Sequence, residues 1–117
     1  MNPTGCQELY FLLDADGAII AYQEKEQSWA GALAFSSEAL ATNFVEVSHL
    51  DVAEIVAVDT EDRPNLQALI TTLKRRPIRY LLLDLDYQSG ACRQVDFDGD
   101  VLGTIRERQF EKPGESK

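Results

Sequence analysis

Residues 62–83 constrain the fold more than any other part of the chain. They contain a helix pattern that stops at Pro77 and is followed at once by the run "IRYLLL", which is apolar except for Arg79. Asp62 can cap the helix, and Pro64 suits its first turn because proline has no amide hydrogen to lose there. The apolar residues of this segment share one helical face: Leu66, Leu69, Ile70 and Leu73. Since a continuous apolar run is typical of a central strand, a helix packed on a sheet is predicted.

The first half of the chain also combines strand patterns with a helix pattern. Two aromatic and aliphatic runs, 8–13 and 18–23, flank the tight-turn sequence "DADG" and predict a β-hairpin. A short strand, 31–35, precedes a predicted helix over 36–47, capped by Ser36 or Ser37. The apolar residues of that helix recur on one predicted core face: Leu40, Phe44 and Val47.

The remaining apolar runs complete a mixed sheet. Residues 53–59 predict another strand, and 92–97 and 101–105 predict two returning strands joined by an Asp-Gly turn. We therefore expect an α+β fold with an α/β-like single mixed sheet, an N-terminal β-hairpin, two main helices and C-terminal antiparallel strands. Residues 1–105 are assigned to one globular domain, and 106–117 to a charged, flexible tail.

Two segments of this pattern resemble a known family. They are "LYFLLDADGAIIAY" and "ALAFSSEALATNF", in which Ser36 stands where the family tends to have threonine. The later runs "EIVAVD", "LQALITTL" and "YLLLDLD" also follow the family's order of elements, so the likeness extends over residues 8–87. The chain thus resembles the N-terminal domain of SseB, the serine-sensitivity-enhancing family of bacterial proteins. The resemblance implies a small cytosolic α/β module without a known cofactor, and it carries over no catalytic residue.

Charge limits the classes of partner. The 117 residues include 20 acidic and 11 basic side chains, for a formal charge of −9. Nucleic acid and anionic lipid both require a basic face, so we expect neither nucleic acid nor membrane as a partner. The start "MNPTGCQELY" lacks the features of a secretory signal, which favours a cytoplasmic location. Cys6 and Cys92 are then expected to be reduced, although the sequence leaves a pairing or redox role open.

Acidic residues near the end of the chain suggest metal sites. Starting at Asp96, acids occupy positions 1, 3 and 5 of a calcium loop and Glu107 occupies position 12, but Val101 stands where the loop needs glycine. An Asp-Gly hairpin turn with solvated acids is therefore the preferred interpretation. A second hypothesis groups four acids into an oxygen-only Mg²⁺ or Ca²⁺ cluster: Asp84, Asp86, Asp96 and Asp98. A half-exposed strand is favoured over that cluster.

Other candidate residues point to a partner rather than to catalysis. His49 is the single histidine, and the chain has no nucleophile elbow or phosphate-binding glycine loop. The run "KRRPIR" carries four cations, Lys74, Arg75, Arg76 and Arg79, which complement a helix end or form a docking face. Trp29 is either a core-edge residue or a partner anchor.

The sequence therefore favours a non-enzymatic module that binds another protein, with a second copy of the chain included among the partners. We assign Trp29 and the four cations as candidate partner-binding residues, and expect no catalytic residue, cofactor or bound metal. The alternative is a small metal-dependent enzyme that uses the acids of residues 84–98.

Overall fold

A computed structural model describes residues 5, 7–23 and 30–109 of the chain. It confirms the predicted α+β fold, with one mixed sheet of seven strands and two helices. The strands are β1 (Glu8–Leu13), β2 (Ala21–Gln23), β3 (Ala30–Phe35), β4 (Glu54–Asp59), β5 (Ile78–Leu83), β6 (Ala91–Asp98) and β7 (Val101–Gln109). The helices are α1 (Glu38–Ser48), between β3 and β4, and α2 (Arg63–Lys74), between β4 and β5.

The strands lie in the order β4-β1-β3-β5-β6-β7, and β2 pairs with β3 beside β1. All neighbouring strands are antiparallel except β3 and β5, which are parallel. The chain between these two strands passes through α1, the edge strand β4 and α2. The carboxyl ends of β3 and β5 therefore meet at one end of the sheet.

The two helices cover opposite faces of the sheet. Residues of a strand point alternately to its two faces, and the side chains of β5 divide in this way. Leu81 and Leu83 pack with the α2 residues Ile70 and Leu73 in one core cluster. Leu82 packs with α1 residues in the other cluster. A strand buried on both sides explains why residues 80–83, "YLLL", are apolar without interruption.

Helix α2 follows the sequence pattern closely. Asp62 is its N-cap and accepts a hydrogen bond from the Asn65 amide at 3.3 Å. Leu66, Ile70 and Leu73 are buried as predicted, whereas Leu69, at the centre of the predicted stripe, is only partly buried. The helix therefore faces the sheet through an i, i+4, i+7 row, and Leu69 lies at the margin of the contact.

Helix α1 is rotated relative to its predicted apolar face. Ser37 caps it and accepts a hydrogen bond from the Leu40 amide at 3.2 Å. The buried residues are Ala41 and Phe44, whereas Leu40 is 44% exposed. The prediction that Leu40 faces the core is therefore wrong, because the small Ala41 lets the helix approach the sheet on the neighbouring row.

The predicted turns are present at both hairpins. At the first, the Gly17 amide donates to the Asp14 carbonyl at 2.9 Å, and Gly17 has a φ of 81°. The two predicted strands are paired only beside the turn, through the bridge between Leu13 and Ile19 and the bond from the Ile20 amide to the Leu12 carbonyl, and β2 then pairs with β3. The second hairpin has a two-residue loop between Asp98 and Val101, in which Gly99 has a φ of 64°.

The C-terminal boundary differs from the predicted one. Strand β7 continues to Gln109, so residues 106–109 belong to the sheet rather than to the expected tail. The extension is held by the pairing of Arg106 with Gln94 and of Arg108 with Cys92, and the Arg108 guanidinium donates a hydrogen bond to the Gln94 side chain at 2.6 Å. Residues 110–117 lie outside the described part of the chain.

Candidate functional site

The parallel strands β3 and β5 end beside each other and send the chain in opposite directions. From β3 the chain turns into α1 and on to the far edge strand β4, whereas from β5 it turns the other way into β6. In open α/β sheets, ligands bind outside the carboxyl ends of parallel strands at such a switch point. A cleft of about 510 Å³ opens at this position, between α1 and the β5–β6 loop.

Asp84, the first residue after β5, links the carboxyl ends of β3 and β5 through hydrogen bonds. One carboxylate oxygen accepts the Ser36 amide at 2.7 Å, and the other accepts the Ser36 hydroxyl at 2.8 Å. Arg93 of β6 donates to the second oxygen at 2.9 Å. Asp84 itself is left-handed, with a φ of 56°, which aspartate tolerates better than most residues. With three donors on it, this carboxylate holds the end of the sheet in place.

One wall of the cleft is the face of α1 that the sequence assigned to the core. Leu40, Asn43, Phe44 and Val47 line it at i, i+3, i+4 and i+7. Leu40 is the one large apolar side chain that is exposed within the described residues. The apolar stripe is therefore real, but only Phe44 shares in the core and the rest faces an open cavity.

The other wall is the loop of residues 84–88. Leu85 is buried beneath the cleft, and Tyr87 packs edge-on against Phe44 with ring centroids 5.8 Å apart. Phe35 forms the floor, and its ring centroid is 5.3 Å from that of Phe44. These contacts between aromatic rings give the apolar lining a fixed shape.

The polar part of the cleft is acidic. Two of its lining residues, Asp84 and Asp86, are carboxylates and none is a cation. A separate cavity of about 460 Å³ is lined by Ser36, Glu8, Tyr10 and Gln7. The Tyr10 hydroxyl donates to Glu8 at 3.1 Å, and this bond and the charge of Glu8 raise the pKa of Tyr10. The site thus offers an apolar lining bordered by negative charge.

The four acids of the metal hypothesis lie in two separate places. The sequence interpretation put Asp84 and Asp86 on one strand face, but β5 ends at Leu83 and both lie in the following loop. Asp96 pairs with Tyr80, which lies four residues before Asp84. At ~3.3 Å per residue, Asp96 is therefore about 13 Å from Asp84 along the sheet. In the described part of the chain, no three potential metal-ligating side chains of His, Cys, Asp or Glu come together.

The candidate calcium loop is a β-hairpin. Asp96 and Asp98 lie on β6, and Glu107 lies on β7 opposite Arg93. Asp96 accepts a hydrogen bond from Gln94 at 2.7 Å and lies 4.0 Å from the Arg106 guanidinium. The preferred hairpin interpretation is therefore confirmed, because the residues of the candidate loop form the paired strands β6 and β7 and the turn between them.

The basic cluster makes several contacts within its own chain. Lys74 donates to the Gly99 carbonyl at 3.1 Å, and Arg76 donates to the Ile19 carbonyl at 2.7 Å. Arg79 donates to the Lys74 carbonyl at 3.2 Å, which supports the helix-end interpretation. Arg75 is exposed as the C-cap residue of α2. A docking role for the cluster stays a prediction.

The other sequence candidates are not part of the cleft. Trp29 and Cys6 lie outside the described residues. Cys92 is buried in β6 in the core on the α1 side, as expected of a structural cysteine. His49 is the exposed C-cap of α1, with its amide bonded to the Val45 carbonyl at 2.9 Å.

Comparison of the chain with protein-family models, with curated proteins and with solved structures gives no match. Neither helix in the described ranges is long and apolar enough to cross a membrane.

Sequence analysis missed the cleft as a site, although it identified several residues that form it. The available signal was the pair of apolar rows on α1, one with Ala41 and Phe44 and one with Leu40 and Val47. A helix needs only one apolar row to pack on the sheet, so a second, adjacent apolar row indicates a further surface that it lines.

Proposed function

We propose that the protein is a non-enzymatic module that binds another protein through the cleft at the carboxyl ends of β3 and β5. The observation that carries this proposal is the apolar row of α1, in which the 44% exposed Leu40 borders an aromatic cavity. An apolar side chain left in water beside an apolar cavity gains free energy when a partner covers both.

The proposed occupant is an apolar side chain of the partner, flanked by lysine or arginine. Phe35, Phe44 and Leu85 supply the apolar surface, and a cavity of about 510 Å³ has room for one large side chain. The exposed carboxylate of Asp86 favours a cation at the rim, whereas that of Asp84 is already paired with Arg93. A second copy of the chain is the weaker candidate, because both copies carry a charge of −9.

The metal-dependent enzyme receives no comparable support. Its four acids are divided between the β5–β6 loop and the β6–β7 hairpin, and Asp84 is engaged by Ser36 and Arg93. A protein-binding role needs only the surface described above.

We also propose that the protein acts in the cytoplasm, as the resemblance to the SseB family implies, and that its partner is protein rather than nucleic acid. The excess of 20 acidic over 11 basic side chains supports the second point, because phosphate groups would be repelled. The exposed Arg75 is proposed as a second contact, at the basic cluster.

Site-specific photocrosslinking tests the proposed cleft. A photoreactive amino acid is placed at position 40, in the cleft wall, or at position 42, where the exposed Thr42 lies outside it. Proteins captured in host cells from position 40 and not from position 42 are purified, and their affinity for the chain is measured by calorimetry.

The affinity is then compared for Leu40→Asp and Thr42→Asp, which add the same charge to α1. Both positions are exposed near the start of the helix, so both variants should fold. We expect Leu40→Asp to weaken binding by about tenfold or more, and Thr42→Asp to change it little. Equal affinities for the two variants would contradict the proposal.

A further inference from the structure

Strand β4 forms one edge of the sheet, at the far side from the β6–β7 hairpin. It pairs with β1 through six consecutive residues without a register shift, and with no other strand in the described part of the chain. Its four central residues, 55–58, are all apolar, and charges stand only at its ends, on Glu54 and Asp59. Natural edge strands usually carry a lysine, a proline or a bulge that prevents pairing with another chain.

The opposite edge strand has such protection. Strand β7 carries the charged residues Arg106, Glu107 and Arg108, and its pairing with β6 includes a register shift. Strand β7 is therefore protected by charge and by its register shift, whereas β4 has neither protection and, within the described residues, is open to a further strand.

The register with β1 identifies the backbone groups that point outward from β4. The Thr60 amide donates to the Gln7 carbonyl at 2.7 Å, directly beyond the pair formed by Asp59 and Glu8. Bonded and non-bonded pairs alternate along an antiparallel ladder. The N–H and C=O groups of Ile55 and Ala57 therefore face away from β1, toward the open edge.

A groove of about 470 Å³ lies beside this edge, between β4 and α2. One turn-spaced row of α2 lines it: Asn65, Ala68, Leu69 and Thr72. The small Ala68 leaves space, and the partly buried Leu69 supplies apolar surface. On the strand side the groove is lined by Ala57, Val58 and Asp59.

We propose that the β4 edge and this groove bind an extended segment of a partner protein, which adds to the sheet as an eighth strand. The outward groups of Ile55 and Ala57 would hydrogen-bond its backbone. Because side chains alternate between the two faces of a strand, every second residue would point into the groove beside Leu69. Small or β-branched apolar residues fit at these positions.

Charge defines the rest of the partner's chemistry. Glu8 and Asp59 line the groove, Glu54 begins the strand and Glu61 follows it, and no cation is among the lining residues. The segment therefore carries lysine or arginine at one or both ends of its apolar part. A second copy of β4 would bring its own Glu54 and Asp59 against these acids, so we favour a basic segment over self-pairing.

The probe is a synthetic peptide that alternates valine and threonine between terminal lysines. A control peptide has glutamate in place of each lysine. We expect the lysine peptide to bind, more weakly at high salt, and the glutamate peptide to bind at least about tenfold more weakly. Amide hydrogen exchange should slow at Ile55 and Ala57 when the lysine peptide binds. At Val56 and Val58 it should change little, since their amides already face β1.

Three variants locate the contact. Ala57→Pro removes an outward donor but no bond to β1, and proline is tolerated at such edge positions. Ala68→Arg fills the groove and repels lysine from an exposed helix position, whereas Gln67→Arg adds the same charge outside the groove. We expect Ala57→Pro and Ala68→Arg each to weaken binding by about tenfold or more, and Gln67→Arg to weaken it at most slightly.

The readouts also separate this edge from the cleft of the proposed function. Leu40→Asp should leave peptide affinity unchanged, since Leu40 lines the cleft and not the groove. Thermal unfolding of each variant establishes that it is folded. Three results would each overturn the inference. The lysine peptide does not bind, Ala68→Arg and Gln67→Arg weaken its binding equally, or its binding depends on Leu40.

Discussion

Asp84 and Ser36 are 48 positions apart in the chain, yet they share two hydrogen bonds at the ends of neighbouring parallel strands. The amide and the hydroxyl of Ser36 donate to different oxygens of one carboxylate. This contact fixes the start of α1 relative to the loop after β5, and so sets the width of the cleft between them. The cleft is thus maintained by a polar contact as well as by its aromatic packing.

Replacing Asp84 should cost more than the loss of a surface ion pair. In Asp84→Ala, the Ser36 amide loses its partner and alanine must adopt a φ of 56°, so we expect a loss of about 2–4 kcal/mol. Asp84→Asn should cost less, because asparagine tolerates that conformation and still accepts a hydrogen bond. Arg93 is partly exposed, so its ion pair adds at most about 1 kcal/mol. Urea unfolding measures the free energy of unfolding of both variants. Equal losses would argue against a stabilising contact between Asp84 and Ser36.

The two central apolar residues of α2 should differ sharply in their contribution to stability. Ile70 is fully buried, so Ile70→Ala should lower the free energy of unfolding by about 2–5 kcal/mol. Leu69 lies at the margin of the groove, and Leu69→Ala should cost about 1 kcal/mol, the typical value for a point substitution. Chemical denaturation of the pair checks this, and a larger loss for Leu69→Ala would mean that α2 is rotated on the sheet.

Adjacent arginines at the end of α2 should behave differently. Arg76 donates to the Ile19 carbonyl at 2.7 Å, so Arg76→Ala should cost about 0.5–1.5 kcal/mol. Arg75 is exposed at the C-cap and should cost about 0.5 kcal/mol or less when replaced by alanine. Thermal midpoints of the two variants and the wild type test this. A loss of partner binding in Arg75→Ala with an unchanged midpoint would support a docking role for that residue.

Titration of Tyr10 should depend on Glu8. The hydrogen bond to Glu8 and the charge of Glu8 raise the pKa of Tyr10 above its ordinary value of 10.0. The folded protein therefore holds the phenol proton more tightly than the unfolded chain does. This contribution to stability is complete below the unfolded pKa and is lost as the pH rises through the folded one. Stability should fall in the alkaline range above pH 10.0 for this reason.

Glu8→Gln should lower the pKa of Tyr10 toward its ordinary value, as followed by tyrosinate absorbance. The pKa of Tyr22 is also raised, but by burial and by the neighbouring Tyr87, so it provides an internal control that should not move. Difference spectra between Glu8→Gln and the same variant carrying Tyr10→Phe isolate the Tyr10 signal. An unchanged Tyr10 midpoint would show that Glu8 is not its partner.

The sequence alone determined the features that depend on neighbours in the chain. Short-range signals fix where helices and strands begin and end, because they act over a few residues. They are the caps Ser37 and Asp62, the turn residues Gly17 and Gly99, and the period of each apolar run. The class of fold and the order of its elements followed from them. The hairpin at Asp98–Val101 could likewise be predicted from the Asp-Gly turn.

Tertiary structure decided what depends on residues far apart. Which row of α1 faces the sheet was set by packing against Phe35 and Leu85, and this left Leu40 at a cleft. The edge position of β4 follows from its long-range pairing with β1, and the separation of Asp84 from Asp96 follows from the register of β5 with β6. Hydrophobic period is the same for a buried row and for a row that borders a cavity. The sequence therefore specifies apolar surface, and only the assembled sheet decides whether it is covered by the chain itself or left for a partner.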